Sequence, residues 1–78
     1  SDSVSAEFDA SSHAAVISDY IRALPERRKF IFMSRYYLAE PIDSIARELG
    51  LSRSMINKEL AAIRSGLKEK LESEGYTV

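Results

Sequence analysis

Cysteine is absent from the 78 residues, which removes disulfides and thiolate metal sites and suits a reducing compartment. Three glycines and two prolines are too few for a disordered or loop-rich chain over most of the length. His13 is the single histidine. With no second histidine or cysteine beside it, it reads as a solvated or capping residue rather than a metal ligand or catalytic base. No glycine-rich phosphate loop is present. The carboxylates Glu69, Glu72 and Glu74 read as a charged helix end. The expectation is a protein that is not an enzyme, with no catalytic residue, no metal and no cofactor. The longest apolar runs are a few residues, such as Phe30 to Met33, so nothing spans a bilayer and no secretory signal is visible. A cytoplasmic protein with no membrane partner is expected. The chain begins without Met and reads as a piece of something longer.

What is present is a small apolar core and an uneven charge. The apolar fraction of 45% suffices for one compact domain near the lower size limit. Net charge is −1, but residues 51–70 hold five bases (Arg53, Lys58, Arg64, Lys68, Lys70) against two acids (Glu59, Glu69), a local +3. A phosphate-facing surface needs base that is locally clustered, not a high overall pI.

Residues 1–11 are polar, acidic and aperiodic and read as a linker or tail, leaving 12–78 as the domain. From Ser12, a candidate cap, Val16, Ile17, Tyr20, Ile21 and Leu24 mark one helical face. Leu24-Pro25 ends that helix, and Pro25 starts the next, with Glu26 favoured in its positive first turn. The second helix, about Pro25 to Leu38, has the wide apolar arc of Phe30, Ile31, Phe32, Met33, Tyr36 and Tyr37. It is expected to be the central helix, with Tyr36 and Tyr37 in the core or on a partner contact and Met33 and Met55 as core filler or surface contacts.

After Pro41 the pattern becomes more specific. A third helix is predicted from Ile42 to Leu49. Gly50 follows, placed to take the left-handed conformation that closes a helix, and Ser52 caps a fourth. The fourth carries the stripe Ile56, Leu60, Ile63, Leu67 and Leu71 and stops near Glu74-Gly75. Two helices across a glycine turn, the second opened by a capping serine, are the layout of a helix-turn-helix, which places its second helix in the major groove of DNA. The fold expected is all-α: a four-helix helix-turn-helix bundle, with a winged-helix-like three-helix core that lacks the wing, plus the N-terminal helix.

With the stripe turned inward at ~100° per residue, the outward face is Ser54, Asn57, Lys58, Ala61, Ala62, Ser65 and Lys68, flanked by Arg53 and Arg64. Asn can bond the major-groove edge of adenine, Lys can reach guanine acceptors or phosphate, and Ala can pack on a thymine methyl. Helix N-termini near Ile42 and Arg53 add N–H groups suited to phosphate. Glu59 stands at the side of this helix. It would repel phosphate there, unless it pairs with a base one turn away or faces the edge of the bundle.

Residues 24–71 resemble region 4 of bacterial RNA polymerase sigma factors. The marks are Leu24-Pro25-Glu26, Arg35-Tyr36-Tyr37, Ile45-Ala46 followed by Leu49-Gly50, Leu51-Ser52, Ile56, Leu60, Arg64 and Leu67, in that order and without a gap. Leu60, four residues after Ile56, fits sigma factors better than phage-type repressors. The resemblance implies binding of double-stranded promoter DNA at the minus-35 element, together with docking on the β flap of core RNA polymerase. Carried over by position, it implies base reading by Asn57, Lys58, Ala61 and Ala62. Backbone contacts would come from Arg53, Ser54, Arg64 and Arg47. Several features depart from the family pattern. Pro41 replaces a Ser/Thr cap, Met55 stands where many relatives have Thr and Glu59 where many have Arg, Ala61 and Ala62 stand where larger or basic residues are usual, and Ser65-Gly66 interrupts a basic run, a helical glycine costing about 1 kcal/mol relative to alanine. An alternative of a different class stays open: a protein-interaction module that holds the flap or an anti-sigma factor, with Ala61 and Ala62 in an apolar contact and little DNA affinity of its own.

Overall fold

The structure is a computed structural model that describes residues 13–76; the linker expected at 1–11 and the cap expected at Ser12 lie outside them. Four helical elements follow one another. The first helix, α1, covers residues 13–22. The second, α2, is Glu26–Phe32, followed by a π-helical turn, Met33–Tyr37. Then come α3, Ile42–Leu49, and α4, Arg53–Ser73. No strand occurs among the described residues, which is the all-α architecture expected. None of these helices is long and apolar enough to cross a membrane.

The core forms where α2, α3 and α4 meet. Ile31, Ile45, Ala46, Ile56 and Leu60 are buried together, with Ile42, Leu49 and Leu51 packed against them. Ile31, Ile45, Ile56 and Ile63 have no exposed surface at all. Removing all but the β-carbon of such a side chain leaves a cavity and typically costs ~2–5 kcal/mol. Of the α4 stripe, Ile56, Leu60, Ile63 and Leu71 are buried and Leu67 is half-buried. The apolar face of α1 is half-buried and ends in the buried Leu24.

The second helix departs from its expected form in two ways. Pro25 caps it rather than occupying its first turn, and the α-helical part stops at Phe32. The chain then widens into the π turn, closed by Leu38 N–H donating to the Met33 carbonyl at 3.0 Å, a five-residue span. Ala39 follows in the left-handed region at φ 56°, and Glu40 N–H donates back to the Ser34 carbonyl at 2.9 Å. This closure works as a left-handed C-terminal cap built without glycine. The wide apolar arc is also not a central core. Within it Ile31 is fully buried and Phe32 half-buried, while Phe30, Met33, Tyr36, Tyr37 and Leu38 stay exposed. Tyr37, at 78% exposure, is the clearest correction to a core assignment. Met55 is likewise a surface residue.

Candidate nucleic-acid interface

Local chemistry sets the angle between α3 and α4. Pro41 supplies no side-chain cap for α3, but its carbonyl accepts from Ser44 and Ile45 N–H at 3.1 and 3.2 Å, so the first turn is still closed. Asp43 places a negative charge in that turn, where the helix dipole favours it. At the other end Gly50 adopts φ 68°, ψ 31°, a conformation that costs an L-residue with a Cβ ~1–2 kcal/mol. Leu51 N–H donates to the Ala46 carbonyl at 2.9 Å across this turn. The Ser52 hydroxyl then accepts from Met55 N–H at 3.1 Å, the cap that opens α4 and is worth about 1 kcal/mol. The two helices are therefore separate, and the second runs 21 residues without interruption through Gly66.

Ile56, Leu60 and Ile63 hold α4 against the bundle, so its opposite side meets water. Arg53, Ser54, Asn57, Lys58, Ala61, Arg64, Ser65 and Lys68 are exposed, and Ala62 is half-buried at one flank. Of the residues expected to touch nucleic acid, six thus share the open side of one helix; Arg47 is exposed on α3 instead. Two of the bases are already engaged. Arg53 Nε lies 2.8 Å from Asp43 Oδ1, although both side chains are largely exposed and such a pair is weak. Arg64 Nη1 donates to the Tyr36 hydroxyl at 2.8 Å, which ties α4 to the π turn.

Glu59 does not repel phosphate from the helix flank, nor does it pair with a base on its own helix. It turns toward α2 and is met there by Arg27 and Arg28, with N–O distances of 3.3 Å in both cases. The sequence reading missed these two arginines because they are 31 and 32 residues from their partner. A signal was nonetheless available. Glu59 stands three residues after Ile56 and four before Ile63, so its Cβ sits on the inward arc, where a charge requires an opposite one. His13, expected to be solvated or capping, stacks its exposed ring on Tyr76, with centroids 4.8 Å apart and planes 16° apart.

Two helices joined by a left-handed glycine turn, the second capped and open along its polar side, define a helix-turn-helix DNA-binding domain. The family model for sigma-70, region 4 matches residues 14–65, two thirds of the chain, and the chain belongs to that family. The family comprises transcription-factor domains that recognise promoters and associate with RNA polymerase; it is not a family of enzymes. No curated protein and no solved structure matches the chain.

Proposed function

We infer that this chain is the minus-35-reading domain of a sigma-like initiation factor that works in the cytoplasm with core RNA polymerase. One observation carries the reading. Between Arg53 and Lys68 the single acid of α4, Glu59, is turned inward and neutralised. The outward side of that stretch therefore presents basic and uncharged side chains and no acid. Asn57 and Lys58 are the long side chains placed to read base edges. Ser54, Ala61 and Ala62 are short enough to let the helix approach closely. Arg53, Arg64 and Arg47 supply charge for the phosphates.

A second reading has its own support. Phe30, Met33, Tyr36, Tyr37 and Leu38 are large apolar side chains left exposed along α2, the π turn and its closing residue, a concentration that suits a protein contact. The β flap of the polymerase or an anti-sigma factor would cover them. The two readings make different demands on DNA. Titration of a labelled promoter duplex at several salt concentrations should give a log affinity that falls with log salt by ~0.9 per phosphate contacted. Lys58→Ala should weaken binding without unfolding the domain. Absence of duplex binding at low salt, with polymerase binding retained, would leave the interaction module as the function.

A further inference from the structure

Glu59 is nearly closed off from water, its side chain 10% exposed, and two guanidinium groups converge on its carboxylate. Arg27 Nη2 lies 3.3 Å from Oε2, Arg28 Nε lies 3.3 Å from the same oxygen, and Arg28 Nη2 lies 3.4 Å from Oε1. Arg28 thus grips both oxygens with its fork, the geometry that holds a carboxylate best. Arg27 and Arg28 remain 53% and 38% exposed. On the helical wheel Glu59 lies about 40° from Met55 and about 60° from Ala62, at the margin of the outward face. Two arginines are therefore held on a carboxylate at the margin of the candidate DNA surface.

We propose, on the basis of the DNA-reading function above, that Glu59 is a specificity-determining residue: it withholds Arg27 and Arg28 from phosphates and so suppresses sequence-blind duplex binding. The physical reason is the burial of the carboxylate. A guanidinium that swung out to a phosphate would leave a negative charge behind in a place from which water is largely excluded, and such a charge is costly when it loses a partner. The benefit follows from how the two kinds of complex are held. Phosphate contacts carry no sequence information, and a non-specific complex consists almost entirely of them. An outward face with only Asn57 and Lys58 as long base readers has little discrimination to spare, so two further phosphate-binding arginines would strengthen the wrong complexes at least as much as the right one. The acid on the recognition helix thereby acts as a brake applied from the inward side.

The test uses the 78-residue chain and a labelled 20-base-pair duplex of random sequence, with binding followed by fluorescence anisotropy over a range of salt. Glu59→Gln keeps the size and shape of the side chain and removes its charge. It should bind the random duplex about three- to tenfold more tightly at low salt, and the slope of log affinity against log salt should steepen by roughly 1 to 2. Unchanged or weaker binding by a variant of unchanged helicity overturns the proposal. Arg27→Gln decides independently, even if Glu59→Gln does not fold. A withheld arginine can be removed with less than about a twofold change in random-duplex affinity, whereas a loss as large as that of Lys58→Ala would show Arg27 already on a phosphate and overturn the proposal. If the parent chain and both variants bind neither this duplex nor the promoter duplex at low salt, the DNA-reading function fails and the brake with it. If the parent binds and Glu59→Gln gains nothing, the brake alone fails.

Discussion

The hydroxyl of Tyr20 reaches the Ile63 carbonyl, 2.9 Å away, because Gly66 carries no side chain at the point where the ring crosses α4. A Cβ at position 66 would collide with the Tyr20 hydroxyl oxygen. The glycine that looks like a flaw in the helix is thus the notch in which α1 docks. Alanine at a helical glycine ordinarily gains about 1 kcal/mol. Here the sign should reverse: Gly66→Ala is expected to destabilise the domain by ~1–2 kcal/mol in urea unfolding, through displacement of the ring and loss of its hydrogen bond. Adding Tyr20→Phe should cost less in the Gly66→Ala background than in the parent, because the bond is already lost there. A Gly66→Ala domain more stable than its parent would show that the ring moves aside freely.

The same hydroxyl makes stability depend on alkaline pH. Burial raises the Tyr20 phenol above its ordinary 10.0, with a smaller raising effect from Glu69 and an opposing one from Arg28. The folded state then holds this proton more tightly than the unfolded state does. Its stabilising contribution is fully present below the unfolded value and is lost as pH rises through the higher folded value. Unfolding free energy should therefore fall above about pH 10, and fall less steeply in Tyr20→Phe. Parallel pH profiles for the two proteins would remove Tyr20 as a source of the dependence.

How far the fold could be read from the sequence depended on how local the causes were. Gly50 and Ser52 act on their own turns, so the helix boundaries at Leu49 and Arg53 were legible from residue chemistry alone. The stripe from Ile56 to Leu71 was legible for the same reason, since periodicity reports the face of a single helix. The arc of α2 misled because hydrophobicity says what would gain from burial, not what is at hand to cover it. In this chain α3 and α4 cover Ile31 and leave Tyr37 bare. The π turn and the partners of Glu59 were hidden in another way. The inward position of Glu59 called for an opposite charge but did not single out Arg27 and Arg28, 31 to 32 residues away, and no composition rule anticipates the five-residue hydrogen bond of the π turn.

Ala39 offers a correction that the chain itself does not use. It holds φ 56° with a β-carbon, a strained choice for an alanine, so that Glu40 can close the π turn on Ser34. Ala39→Gly removes the strain at some cost in unfolded-state entropy. A net gain of about 0.5–1 kcal/mol is expected in thermal or urea unfolding, with the DNA-facing side of α4 untouched. Destabilisation by this substitution would show that the left-handed conformation is not what the solution state adopts.

Tyr36 links the π turn to the recognition helix. Its ring packs on Phe32 with centroids 5.0 Å apart, and its hydroxyl accepts from Arg64 at 2.8 Å. Arg64 occupies the flank of α4 next to Asn57, and a long side chain fixed at its tip loses less freedom when it meets a phosphate. Tyr36→Phe keeps the ring packing and frees the guanidinium without removing its charge. Promoter-duplex affinity should drop about two- to threefold while the slope of log affinity against log salt stays that of the parent. Arg64→Ala should also weaken binding but reduce that slope by about 1, because a phosphate contact itself is lost. If Tyr36→Phe flattened the slope as Arg64→Ala does, the tyrosine would be placing the charge rather than merely steadying it; if neither variant changed binding, Arg64 would have no part in holding DNA.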